Sequence, residues 1–298
     1  MSRSVRAVEP HEGPSRRADA AAAFDAPLLL GRYRPLERIG RGGSATVFRG
    51  VDETLGRPVA IKLFHAGTAR ELERHGDELR ALAGLAHHGI VGVIDAGVDL
   101  SQQEDPRPFL VMEYVSGMTL QDAAQAHRLS TRAIGELGFE VAETLAYIHA
   151  HGVVHRDVTP TNIMLVDYGT PSLRRRARLT DFGIAVIGGS TPGDSDVAVG
   201  TAAYLSPEQA TGQSVGTPTD IYSLGLVLLE LFTGRREFPG PFRESMATRL
   251  ERDPVVGRGV PRAWRPLLRD MTARQPARRP DAAAVLESSR RLLRARRR

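Results

Sequence analysis

Cysteine is absent from this 298-residue chain. That excludes disulfide staples, Cys-ligated metal centres and thiol nucleophiles. Lysine is nearly absent: among 40 Lys plus Arg residues only Lys62 is a lysine. On a solvated surface the two cations are close to equivalent, but a compact ammonium and a planar guanidinium are not interchangeable against phosphate oxygens in a tight site. The surroundings of Lys62 are therefore the first question. Long apolar runs are missing too. The longest, residues 221–232, contains Ser223, Gly225 and Glu230 and is too short and too polar to span a bilayer. The N-terminus lacks the apolar segment of a secretory signal, so the expectation is a cytoplasmic protein with no transmembrane segment. Nor does the body of the chain have an excess of one charge. The formal charge is +5, and without the six arginines of residues 290–298 it is −1. That run reads as the solvated end of a last helix and not as a nucleic-acid site.

Hydrophobic residues make up 41% of the chain, enough for one large or two small domains. Residues 1–30 mix Ser, Pro, Glu, Arg and Ala without periodicity and read as a disordered lead-in, with Leu28–Leu30 packing on the first strand. Between Tyr33 and Tyr114 short strands surround one helix. Tyr33–Gly40, Ala45–Gly50, Pro58–Phe64, Ile90–Val98 and Phe109–Tyr114 are the strands. Thr68–Leu85 is the helix, with Leu72, Leu79 and Leu82 on one stripe. From Gly117 onward the pattern is mainly helical, with Thr131–His151, Pro218–Thr233, Ala263–Thr272 and Asp281–Leu293. A small antiparallel sheet followed by a helical lobe puts a ligand cleft between the two.

Four segments carry chemistry. Gly40-Arg41-Gly42-Gly43-Ser44-Ala45-Thr46-Val47 is a Gly-rich turn whose backbone can approach a polyphosphate closely; alone it is equally a flexible hairpin. Lys62 ends Val59-Ala60-Ile61-Lys62, a strand that points Ala60 and Lys62 to one face. A buried ammonium needs a carboxylate. Glu71, Glu73 and Glu78 are on the next helix, and Glu78, which shares a face with Leu82, is the choice. His155-Arg156-Asp157-Val158-Thr159-Pro160-Thr161-Asn162 is a loop in which Asp157 can take a proton from a hydroxyl while Asn162 offers a carbonyl oxygen to a cation. Asp181-Phe182-Gly183 supplies a second oxygen ligand.

In this order and spacing the segments resemble the eukaryotic-like serine/threonine protein kinases of bacteria. The resemblance runs from about Tyr33 to about Leu293. It extends to the hinge-like Val111-Met112-Glu113-Tyr114-Val115, to Gly200-Thr201 through Ser206-Pro207-Glu208, to Thr219 through Gly225, and to Arg278-Arg279-Pro280-Asp281. It implies an α+β, bilobal protein-kinase-like fold with a small lobe over about 31–115, a larger helical lobe over about 116–293, and a basic tail at 294–298. It also implies roles. Ile39, Gly40, Gly42 and Val47 cover ATP, Ala60 and Met164 sandwich the adenine, and Met112 is the gatekeeper. Backbone groups of Glu113 and Val115 bond the adenine edge. Lys62, paired with Glu78, holds phosphates, and Asp157 is the base. Asn162 and Asp181 bind Mg²⁺, with Mn²⁺ as a substitute. Glu208 and Arg279 form a buried ion pair. The implied partners are proteins with Ser or Thr acceptors and a homodimer for trans-autophosphorylation. The acceptor in the chain's own activation loop is Ser195, or else Thr191 or Ser190, pairing with Arg156 when phosphorylated.

Three departures stand out. Ala45 replaces the third loop glycine. Thr159 replaces the lysine usual two residues after the catalytic Asp, removing one cation from the transferring phosphate. The spacing from Asp157 to Asp181 is long, and Tyr168–Arg178 carries four arginines, read as a solvated hairpin tip or as a docking surface for an acidic partner. The rival reading is an ATP-binding pseudokinase scaffold. Thr159 favours it, and the full set Lys62, Glu78, Asp157, Asn162 and Asp181 opposes it.

Overall fold

The computed structural model describes residues 28–42, 45–65, 81–101, 106–169, 175–182 and 201–295. The lead-in before Leu28, most of the expected Thr68–Leu85 helix and Arg296–Arg298 lie outside them.

Five antiparallel strands form the first sheet: β1 (Tyr33–Arg41), β2 (Ala45–Asp52), β3 (Arg57–Phe64), β4 (Val93–Asp99) and β5 (Arg107–Glu113), in the order β1-β2-β3-β5-β4. The pleat of the central strand β3 separates two tasks. Val59 and Ile61 pack with Leu29, Tyr33, Phe109 and Val111, whereas Ala60 packs with Val91 and Met112 on another cluster. Of the Leu28–Leu30 triplet, Leu29 is the buried member. The fourth strand begins at Val93 rather than Ile90; Ile90 instead bridges to Leu179 of the other lobe.

The larger lobe is built on α1 (Leu120–Ala126), α2 (Thr131–Ala150), α3 (Pro207–Ala210), α4 (Pro218–Thr233), α5 (Phe242–Glu251), α6 (Arg265–Met271) and α7 (Ala282–Ala295). Ser130 caps α2 through its hydroxyl, and Ile134, Leu137, Val141, Leu145 and Ile148 line its buried face at helical spacing. Helix α4 is buried almost all round, which accounts for the apolar character of residues 221–232. It starts on Pro218 and stops at Gly234, which takes a left-handed conformation (φ 71°) and returns its N–H to Glu230. Gly225 lets α6 approach: a Cβ there would fall 2.7 Å from the Thr272 methyl. Helix α7 packs on α2 and carries Arg290, Arg291 and Arg294 to the end of the described chain.

A second sheet, β6 (Gly117–Thr119), β7 (Ile163–Val166) and β8 (Arg176–Leu179), lies at the start of this lobe. Its strands have three or four residues, too few to show an alternation in sequence, so the region read as mainly helical. One apolar core runs through both lobes, from Ala45, Phe64 and Leu110 to Leu145, Leu228 and Trp264. Among the described residues no helix is long and apolar enough to cross a membrane.

Candidate active site

Helix α2 ends at Ala150, and Gly152 (φ 74°) turns the chain into the 155–162 loop. The loop backbone is held by Asp220, fully buried in the first turn of α4. Its Oδ2 accepts from the His155 N–H and bonds His149 Nε2, both at 2.8 Å, and its Oδ1 accepts from the Arg156 N–H at 2.7 Å. Arg156 adopts φ 67°, a costly conformation for a residue with a Cβ, and the Asp220 clamp stabilises it. Gln209 of α3 adds a bond from its amide to the Arg156 carbonyl at 2.8 Å. His155 is buried, and burial depresses its pKa. Neutral, it accepts the Asp157 N–H on Nδ1 at 3.3 Å and donates Nε2–H to the Thr180 carbonyl at 3.1 Å. Its ring sits 4.7 Å from that of Phe182.

This framework aims Asp157. Its Oδ2 accepts from Asn162 Nδ2 at 2.7 Å, and the same amide donates to the Asp157 carbonyl at 3.0 Å. Its Oδ1 is buried with no hydrogen-bond partner among the described residues. Burial pushes the carboxyl up to about 6; the Asn162 bond opposes this and the charge of Asp181 adds to it. Asp181 stands at φ 55° and accepts from Lys62 Nζ at 2.8 Å. With both Asn162 bonds made by its nitrogen, the amide oxygen is left as an acceptor. An amide carbonyl and a carboxylate are hard oxygen donors, the set that suits Mg²⁺ or Mn²⁺.

The small-lobe side of the cleft is apolar. Ala60 pairs with Met112 across β3 and β5, and Val115 and Tyr114 pack beside them. Met164 is half-buried on β7. Gly40 faces Val47 across β1 and β2, Ile39 is exposed, and the Gly42 N–H turns back to the Ala45 carbonyl at 2.8 Å. The Glu113 N–H is taken by the Gly92 carbonyl at 2.9 Å, so of its two backbone groups only the carbonyl can meet a nucleotide. Thr159 is buried, its hydroxyl 2.8 Å from that of Thr161. Glu78, Gly43, Ser44, Gly183, Ser190, Thr191 and Ser195 lie outside the described residues; within them the partner of Lys62 is Asp181.

Several residues at the site carried no role in the sequence reading. Asp220 is one. Arg178 is another; at the end of the Tyr168–Arg178 segment it departs from the reading of a solvated tip, while residues 170–174 lie outside the described ones. Arg178 is buried on β8, donates twice to the Glu113 carboxylate (2.8 and 2.6 Å) and reaches the Ile90 carbonyl. That pairing holds the Glu113 carboxyl below its ordinary range. Arg176 pairs with Glu140 at 3.2 Å, and Arg175 donates to Met118 Sδ. Separately, His87, His88 and Glu143 gather three potential metal-ligand atoms within 4.8 Å. His87 Nδ1 is occupied by the Gly89 N–H, its ring stacks on Tyr147, and His88 pairs with Glu143 at 3.3 Å. The cluster fastens the 86–89 loop to α2. Farther down, the expected Glu208–Arg279 pair forms, buried, with bonds of 2.6 and 2.9 Å.

Comparison with known proteins agrees with this geometry. A protein kinase domain profile matches residues 33–289. The chain is 40% identical over 224 residues to the probable serine/threonine-protein kinase PknB of Bifidobacterium longum, covering 72% of this chain and 32% of that protein. It is 36% identical over 270 residues to the DNA damage-responsive serine/threonine-protein kinase RqkA of Deinococcus radiodurans, covering 87% and 39%. It is 37% identical over 273 residues to the serine/threonine-protein kinase PknL of Mycobacterium tuberculosis, covering 88% and 66%. The aligned part thus spans between a third and two thirds of these relatives. The chain belongs to the protein kinase domain family, among the eukaryotic-like serine/threonine kinases of bacteria.

Proposed function

We propose that this protein transfers the γ-phosphoryl group of ATP to serine or threonine hydroxyls of proteins, in the cytoplasm. The observation that carries the proposal is Asp157. One carboxylate oxygen is tethered by Asn162; the other is buried and, among the described residues, without a partner, beside the Lys62–Asp181 pair. An acceptor hydroxyl fits that free oxygen. As the hydroxyl oxygen bonds to the γ-phosphorus and the bond to the β-phosphate breaks, its proton passes to Asp157. Lys62 supplies the ammonium for the α- and β-phosphates, and Ala60, Met112, Val115 and Met164 form an apolar slot for adenine. Asn162 and Asp181 would hold Mg²⁺, or Mn²⁺ in its place, and the metal supplies charge neutralisation on the phosphates. Thr159, turned to Thr161, contributes no cation, so Lys62 carries more of the electrostatic work than in relatives with a lysine there. Autophosphorylation at Ser195, Thr191 or Ser190, by a second copy, belongs to the same proposal.

The test is transfer of ³²P from ATP to a histone acceptor, with Asp157→Asn beside the wild type. The expected outcome is a signal at least about 1,000-fold lower in the variant. Equal signals would establish the scaffold reading instead.

A further inference from the structure

One cluster of metal-ligating side chains shares no residue with the candidate active site. His87 and His88 meet Glu143 of α2, and one ring nitrogen of each histidine and one Glu143 carboxylate oxygen lie within 4.8 Å of one another. His88 Nε2 and Glu143 Oε2 are 3.3 Å apart. Two donors held by one Zn²⁺ in a tetrahedron, at bond lengths of about 2.0–2.1 Å, stand about 3.3–3.4 Å from each other. One edge of such a site is therefore already drawn. Other contacts hold the donors in place. The half-buried His87 ring stacks on Tyr147 at 4.8 Å and lies 4.2 Å from the His88 ring. Tyr147 stands one helical turn after Glu143 on the same face of α2, and its hydroxyl accepts the Ala86 N–H at 3.1 Å. Gly89 presses the loop onto the helix: a Cβ there would fall 1.9 Å from Thr144 Oγ1. Little ordering is left to oppose binding. The His88 side chain, 53% exposed, opens the cluster to solvent.

Two imidazoles and one carboxylate select the ion. This donor set suits the late first-row divalent metals, whereas Mg²⁺ and Ca²⁺ take oxygen ligands. The Gly89 N–H donates to His87 Nδ1 at 3.1 Å, so the neutral ring carries its proton on Nε2. An ion on either nitrogen replaces that bond. On Nδ1 it takes the lone pair; on Nε2 it sends the ring's proton to Nδ1. One neutral hydrogen bond is a small loss against a third metal ligand. A water molecule completes the four positions.

We propose that His87, His88 and Glu143 form a binding site for a divalent transition-metal ion of the Zn²⁺ class. The ion joins the 87–89 loop to α2. That loop has a second contact of consequence. The Gly89 carbonyl accepts the Leu179 N–H at 2.7 Å, and the Val91 N–H donates to the Leu179 carbonyl at 2.8 Å. Leu179 lies two residues before Asp181. The ion thus grips the backbone against which the strand leading to Asp181 is laid. The site stands independently of phosphotransfer, and with no cysteine in the chain no thiolate competes for the ion.

The experiment titrates the full chain with Zn²⁺ in a calorimeter, without nucleotide and with excess Mg²⁺ to occupy oxygen-donor sites. Wild type should bind Zn²⁺ with a stoichiometry of one. His88→Ala and Glu143→Gln should each weaken binding at least about tenfold, while His127→Ala, an exposed histidine outside the cluster, should stay within about twofold. Melting curves give a second reading. Zn²⁺ should raise the Tm of wild type and His127→Ala but not of the two ligand variants. His88 is on the surface, so His88→Ala keeps the fold and decides the case if Glu143→Gln is unstable. A wild type that binds no Zn²⁺, or a His88→Ala variant that binds it equally well, overturns the site. Equal weakening in His127→Ala would mark adventitious surface coordination and overturns it too.

Discussion

Two side chains carry the proposed chemistry at the scale of single residues. Lys62 is buried and ion-paired with Asp181. Lys62→Arg keeps the charge but enlarges and flattens it in a closed site. Phosphotransfer should fall at least about 100-fold, with thermal stability nearly unchanged; steady-state rates and melting curves check both. Asp157, pushed up to about 6 by burial, must be ionised to accept a proton. Its kcat/KM should therefore drop about tenfold per pH unit below pH 6, since that parameter reports the free enzyme. The same shift is a statement about folding. A carboxyl whose folded pKa is raised favours the folded state while protonated, and that contribution is lost as pH climbs from about 4 through about 6. Asp157→Asn should then be more stable than wild type by up to about 2–3 kcal/mol at pH 8. The gap should close below pH 4, as read by urea titration at both pH values.

At the scale of elements, the structure is tied by pairs far apart in sequence. Glu208 at the start of α3 and Arg279 before α7 are both buried and joined by two bonds, with Thr219 giving the carboxylate a third. Burial alone would push Glu208 up; the Arg279 and Thr219 bonds outweigh it and hold the carboxyl low. Arg279→Met leaves that carboxylate buried and nearly alone, and should cost about 3–5 kcal/mol in urea unfolding. Adding Glu208→Gln should recover part of the loss. These pairs also mark how far the sequence is legible. Lys62, Asp157, Asn162 and Asp181 could be picked out because each sits in a short motif with fixed local spacing, and they converge in the structure. Helix α2 could be drawn because its apolar residues recur at helical intervals, and α4 because its mostly apolar stretch is too long for a strand. Helix α5 could not, since Phe242–Glu251 is largely polar. Asp220, Arg178 and Arg249 act on partners 46–88 residues away. No local pattern announces such a bond, and an arginine bound for the interior looks in sequence like the other 38.

At the scale of the molecule, the two lobes are joined at more than the covalent hinge. Residues 89–91 pair with Leu179 of β8, and Arg178 on the same strand grips Glu113 and Ile90 together. Breaking this grip should have an asymmetric result. Glu113 is half exposed and can turn to water, whereas Arg178 cannot. Glu113→Ala, which strands the buried cation, should destabilise more than Arg178→Met, by about 1–2 kcal/mol in differential melting. Equal losses would show that the pair acts by packing alone. The lone buried lysine has its own consequence at this scale. Within these 298 residues there is one ε-amine, and it stands beside Asp181 in the candidate site. An amine-directed acylating reagent thus has a single side-chain target. The extent of labelling, read on the peptide that carries Lys62 so that the N-terminal amine is told apart, becomes a direct gauge of how many molecules have an open, unprotected cleft.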